Sequence, residues 1–240
     1  MIQTLGWGPV VKGCWRKPSS PKDGDANGHG GGLDVVDPVI TNRRDRRSAV
    51  TNSNDRVLIE GQRIRTPRLL LRPWADQDAA AALSVFGDEH VARWLAPAVD
   101  RVPDVESMRA LLARWAQQRV APPSGRWAVE VAESGEVVGA LALLPLPPDE
   151  LDLEIGWQLA PSAWGKGYAV EAGHAVAHYA FASGADEIFA VVRPRNARGA
   201  ATARRVGMEW VGETDKYYAL TLQVYRLRKG DLHLSGPVGS

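Results

Sequence analysis

Hydrophobic and polar positions fall into regular periods from about residue 60 onward, and into none before it. Thr66-Pro67-Arg68-Leu69-Leu70-Leu71-Arg72-Pro73-Trp74 reads as a strand bounded by prolines, which cannot donate to a sheet ladder. Asp76 or Asp78 is placed to cap an Ala-rich helix running to about Trp94. A second helix begins near Asp104, where Met108, Leu111, Leu112 and Trp115 recur at helical spacing and give one apolar face. Trp127 to Ala132 and Val137 to Leu144 form a predicted hairpin around Ser134-Gly135. Leu151, Leu153 and Ile155 alternate with Asp152, Glu154 and Gly156 in a half-polar strand. A glycine-containing turn follows, then a helix from about Gly167 to Ala182 that Ser183-Gly184 ends. Ile188 to Val192 is a short buried strand and Asn196 to Arg205 a helix. Trp210-Val211 and Tyr217 to Leu227 supply the last strand pair. The pattern predicts an α/β (α+β) domain, a largely antiparallel sheet with helices on its faces.

Composition separates the two ends of the chain. Residues 1–56 contain eight glycines, four prolines and no Glu, with a net charge of +3, against −2 for residues 57–240. The run from Asp23 to Gly32 has neither period, so it buries too little apolar surface to offset its ordering entropy. Residues 1–56 are therefore read as a disordered extension or as translation from an upstream start, with Val50 or Val57 as alternatives. The folded domain is expected over 57–229, followed by a short tail over 230–240. Arg43 to Arg47 is a basic knot that reads as a solvated charge run rather than a nucleic-acid contact, since the whole chain carries only +1. No apolar run is long enough for a membrane span, no signal peptide is evident, and the single cysteine, Cys14, excludes an internal disulfide. The expectation is a cytoplasmic protein, monomer or homodimer, away from membranes.

The chemistry concentrates in Pro161-Ser162-Ala163-Trp164-Gly165-Lys166-Gly167-Tyr168-Ala169, between a strand and a helix. Glycines there let backbone approach a ligand closely, and the helix N-terminus offers unpaired N–H groups to a phosphate. A P-loop is excluded because Gly165-Lys166 is followed by Gly167 rather than Ser or Thr. A dinucleotide fingerprint is excluded because position 170 is Val and the acidic ribose ligand is missing. On spacing alone, a coenzyme A pyrophosphate loop and a plain tight turn remain.

Glu154-Ile155-Gly156-Trp157-Gln158-Leu159, followed by Trp164-Gly165-Lys166-Gly167-Tyr168-Ala169-Val170-Glu171-Ala172, closely resembles the GNAT N-acetyltransferase superfamily. The likeness is greatest to the branch of ribosomal-protein alanine and serine N-acetyltransferases. Arg65 to Trp74, Asn196 and Gly207-Met208 extend the resemblance over about residues 63–228. It implies a twisted, mostly antiparallel sheet whose central strands splay apart near Trp157, Gln158 and Leu159. Pantetheine of acetyl-CoA would lie in that opening, and pyrophosphate on the N–H groups of Trp164, Gly165, Lys166, Gly167, Tyr168 and Ala169. Asn196 would border the cofactor, a role compatible with capping the helix that follows it. The implied reaction is acetyl transfer from acetyl-CoA to a primary amine, a protein N-terminus or a small molecule, by direct transfer without a metal.

Such transfer needs a base for the amine and a backbone N–H for the oxyanion. The resemblance places that donor between Trp157 and Leu159. Glu154 is the base candidate because strand alternation sets it opposite Leu153 and Ile155, with Asp152 in reserve. A structural or water-facing carboxylate is the other reading of Glu154. The chain departs from the family at Ser162, where Gln or Arg is usual, and at Met208, where Phe is usual. Ala203 stands at the position of the usual tyrosine acid, so no acid is named. Ser162 and the missing tyrosine acid motivate one alternative, a non-catalytic acyl-CoA-binding sensor or scaffold, whereas Met208 is a packing change. His174 and His178 have metal-ligand spacing but no intervening Glu, and read as surface residues. Trp74 and Trp94 are candidates for an acceptor cleft.

Overall fold

The computed structural model describes residues 57–95, 99–118, 120–147, 152–218 and 220–232. Cys14, the glycine-rich run, the basic knot and residues 233–240 lie outside them, and so does the reading of 1–56 as disordered.

Nine strands form one sheet: β1 (Leu58–Glu60), β2 (Arg63–Arg65), β3 (Leu69–Pro73), β4 (Gly125–Val131), β5 (Val137–Pro145), β6 (Leu153–Leu159), β7 (Glu187–Val192), β8 (Glu209–Thr214) and β9 (Leu222–Arg228). Their spatial order is β1-β2-β3-β4-β5-β6-β7-β9-β8. Every neighbouring pair is antiparallel except β6 and β7. A parallel pair needs a long crossover, which the helix α4 (Tyr168–Ala182) supplies.

Alternation along the strands divides two apolar layers. Leu69, Leu71, Trp127, Val129, Leu141, Leu143, Ile155 and Ile188 pack with Val176, Ala180 and Phe181 of α4. Ala200 and Ala203 of α5 (Ala197–Arg205) join this layer. On the opposite face, Ala140 meets Ala82, Val85 and Phe86 of α1 (Ala79–Phe86). Val91 of α2 (Glu89–Leu95) and Met108 and Leu112 of α3 (Val105–Gln117) complete that second layer. The apolar stripe read from Met108 to Trp115 is thus the buried face of α3, which Asp104 caps through its carboxylate on the Ser107 N–H.

Three sequence expectations change. The single Ala-rich helix is two, because the chain near Val102 closes on Gly87: the Val102 N–H bonds the Phe86 carbonyl, and the Arg101 Nε–H bonds that of Gly87. A Cβ on Gly87 would stand 2.7 Å from the Leu83 carbonyl oxygen. Asp88 then opens α2 by accepting from the His90 N–H. Asp78 stands at the N-cap of α1 but makes no side-chain bond to it. Its carboxylate instead accepts from the Ala75 N–H, at the start of the short 3₁₀ turn Asp76–Asp78, and from both terminal nitrogens of Arg72. Finally, Tyr217 and Tyr218 precede β9 instead of belonging to it, and pack with Leu146 and Leu222 in a small separate cluster.

The central splay is present. β5 and β6 stay paired from Pro145↔Leu153 to Gly139↔Leu159, whereas β6 and β7 are in register only at Glu154↔Phe189. Beyond Glu154 the two parallel strands diverge.

Candidate active site

A cleft occupies this divergence. Ile155, Gly156, Trp157 and Gln158 form one lip, Val191, Val192 and Arg193 the other, and Trp94 and Leu95 of α2 reach in from above. Glu154 sits at the point where the strands part. Its carboxyl accepts a 2.9 Å hydrogen bond from the Tyr218 hydroxyl. Burial pushes the Glu154 carboxyl up from 4.5 to about 7, against the stabilising pull of that hydroxyl. Tyr218 is pushed well above the ordinary phenol range by burial and by the facing carboxylate, so at neutral pH it stays a donor. Tyr218 is also the described non-glycine residue with positive φ, at 57°. Such backbone is costly for a bulky side chain, by roughly 1–3 kcal/mol, and here the outlier puts a phenol against the cleft carboxylate.

The sequence reading gives Tyr218 no role. The helical position where a tyrosine was sought, Ala203, is fully buried in α5, while the tyrosine at the site comes from the loop before β9. The pair Tyr217-Tyr218 within an otherwise polar loop was the available signal. Asp152, the reserve base, is exposed and does not line the cleft.

The loop after β6 is bent by a short 3₁₀ turn, Pro161–Ala163, and closed on the strand by a 2.9 Å bond from the Trp164 indole N–H to the Leu159 carbonyl. Gly165 and Gly167 have φ of 77° and 79°, a conformation that disfavours any side chain. Nothing lies within 4 Å of a Cβ placed on Gly165, so the backbone there faces open space. Gly165, Lys166 and Gly167 are exposed, and Tyr168 and Ala169 open α4, whose first-turn N–H groups point out of the helix end. The loop is braced from the turn between β2 and β3. Glu171 accepts from the Thr66 hydroxyl at 2.6 Å and from the Arg68 N–H and Nε–H at 3.0 and 2.6 Å, while Arg68 also donates to the Lys166 carbonyl at 2.9 Å. Sequence reasoning matched Thr66, Arg68 and Glu171 to a pattern but gave them no role; 103 residues separate Arg68 from Glu171, and only the fold brings them together.

Asn196 caps α5, its Oδ1 accepting from the Gly199 N–H at 2.9 Å, and also lines the cleft. Beside it, the Arg198 guanidinium lies 4.3 Å from the Trp164 ring centre, so the N-terminus of α5 touches both cleft and loop. Gln158 and Leu159 are buried, and the Gln158 Oε1 has no hydrogen-bond partner. Trp157 packs half-buried against the main core. The cleft therefore gathers Glu154, Trp157, Gln158 and Asn196, with Trp164 to Ala169 adjoining through β6 and Arg198. Trp94 lines the cleft as one of the two tryptophans considered for it; Trp74 packs edge-on against Phe86 instead. Among the described residues no group of three or more His, Cys, Asp or Glu could hold a metal, and no helix is long and apolar enough to cross a membrane.

Residues 68–209 match the model of the acetyltransferase (GNAT) domain family. The uncharacterized N-acetyltransferase YoaA of Bacillus subtilis is 26% identical over 155 residues, 64% of this chain and 86% of that protein. A solved acetyltransferase of Agrobacterium tumefaciens superposes with a TM-score of 0.56 at 26% identity, covering 71% of this chain and 96% of that one. RimJ of Mycobacterium smegmatis, solved in complex with CoA-disulfide, gives 0.56 at 22% identity over 68% and 83% of the two chains. With a splayed sheet, a glycine loop at the head of α4 and a family match over more than half its length, this chain belongs to the GNAT acetyltransferases, enzymes that transfer an acetyl group to an amine.

Proposed function

We propose that the chain is an acetyl-CoA-dependent N-acetyltransferase that acts by direct transfer to a primary amine, with Glu154 as the base. The observation that carries this reading is the Glu154 carboxyl, held near neutrality at the apex of the cleft and oriented by Tyr218. The residues present suit the cosubstrate. Open backbone at Gly165 and the head of α4 offer N–H groups to pyrophosphate, and the unpaired lip of β6 offers backbone to pantetheine. Trp157, Gln158, Leu159, Trp164 to Ala169 and Asn196 would hold it. When bound, acetyl-CoA supplies an activated acetyl thioester.

Glu154 takes a proton from the incoming ammonium, leaving a nucleophilic amine. A general base of matched pKa contributes ~10²–10⁴-fold. A β6 backbone N–H in the splay supports the developing oxyanion. While Glu154 is ionised, Tyr218 holds its carboxylate in place; once Glu154 is protonated, the charge that most restrains the phenol proton after burial is gone.

The test is a thermal-shift titration with acetyl-CoA and CoA, followed by a free-thiol assay over primary amines and peptide N-termini. Saturable stabilisation and amine-dependent thiol release are expected. No shift with either nucleotide rejects the reading, and binding without turnover over the whole panel replaces it with a non-catalytic acyl-CoA-binding module.

A further inference from the structure

Arg72 and Arg126 stand on neighbouring strands, β3 and β4, on the sheet face covered by α1, α2 and α3. Arg72 is fully neutralised: its guanidinium donates to Asp78 at 2.7 and 2.9 Å and to Glu130 at 2.6 Å. Arg126 has no such anion among the described residues. Its Nε is buried with no hydrogen-bond partner, and the guanidinium rests 5.6 Å from the ring centre of Trp115 on α3. Burial lowers its pKa to about 10, which leaves it cationic at neutral pH. An uncompensated, half-buried guanidinium is a costly group for a fold to keep, whereas a planar carboxylate matches its donors two at a time.

The sheet register says where such an anion would come from. Arg126 pairs with Ala142, and Ala142 pairs with Gly156 on the cleft lip. These three positions form one row on one face, with a methyl and a hydrogen as the side chains beyond the arginine. Two strand spacings separate the backbones of Arg126 and Gly156, roughly 10 Å. Glu154 and Gln158 flank Gly156 on the same face, and Gln158 carries a second buried atom without a partner.

We propose that Arg126 is a specificity-determining residue that receives the carboxylate of the acceptor, so that the substrate is a primary amine carrying a carboxylate a short chain away. The amine end lies at Glu154 and the anionic end at Arg126. This deepens the transfer reading given above and rests on its placing of the amine.

The experiment uses the full chain saturated with CoA or acetyl-CoA, and ω-amino carboxylates of increasing length beside their matching carboxamides. Binding is read by calorimetry and transfer by thiol release. The wild type is expected to prefer the carboxylate at least tenfold at its best chain length, about 1.4 kcal/mol. In Arg126→Gln that ratio falls to near one, through KM rather than kcat, and Arg126→Lys restores part of it. A wild type with no preference at any length overturns the proposal without recourse to a variant, and so does a preference that survives in Arg126→Gln. Failure to bind CoA would reject the transfer reading, while the carboxylate-to-carboxamide binding ratio would still decide the role of Arg126.

Discussion

Burial lifts the Glu154 carboxyl to about 7 while the Tyr218 hydroxyl pulls it down, and the two effects can be separated by substitution. Because the folded value lies above the ordinary 4.5, the protonated form is favoured by folding. The stability this contributes is complete below about pH 4.5 and is lost as pH climbs through about 7. Glu154→Gln removes the titration. Its thermal stability should match wild type near pH 4 and exceed it by on the order of 1–3 kcal/mol at pH 8, while turnover falls at least tenfold and CoA affinity holds. A wild-type rate would take the base role from Glu154. Tyr218→Phe acts in the opposite sense on the carboxyl. It deletes the bond that favours the ionised form, so the rising limb of kcat/KM against pH should move to higher pH. An unmoved limb would separate Tyr218 from the base.

At the scale of elements, the glycine loop depends on its two positive-φ positions and on the Thr66–Arg68–Glu171 brace. Gly165→Glu is expected to abolish CoA binding in calorimetry while the far-ultraviolet dichroism stays that of the wild type. The side chain would put bulk and negative charge where pyrophosphate approaches, and nothing in the fold leans on that position. Unchanged affinity would mean the phosphates bind elsewhere. These elements also mark how far the sequence could be read. Local signals were legible: the Ser134-Gly135 hairpin, the amphipathic stripe of α3, the loop glycines and the Asn196 cap all rest on residues close in the chain. Two features were written only in long-range contacts. The helix break at Gly87 depends on Val102 closing against it, and the hydroxyl facing Glu154 comes from 64 residues away. The hairpin of β1 and β2 is hard to read because each strand is three residues long, and only the Ile59↔Ile64 pair, with Glu60, Arg63 and Arg65 beside it, hints at a half-buried hairpin.

At the scale of the molecule, the domain boundary proposed at residue 57 can be tested by truncation. Val57 and Ile59 pack against the main core and Ile64 lies wholly inside it. A chain beginning at Val57 should keep the melting temperature and CoA affinity of the full protein. One beginning at Arg68 loses Ile64, and an isoleucine's burial is worth ~2–5 kcal/mol at ~2–4 °C each, so it should melt roughly 5–15 °C lower. A fall already at Val57 would place part of 1–56 in the fold. The single point of register between β6 and β7 has a wider consequence. Mechanically the sheet is two plates, β1 to β6 and β7 to β9, touching at Glu154↔Phe189 and pinned from behind by α4. Whatever bonds to both lips of the wedge acts as a rivet between the plates, and its binding free energy adds to their joint resistance to unfolding. The supply of that molecule would then bear on the stability of the protein as well as its turnover, and a shortage would first loosen the seam at Glu154.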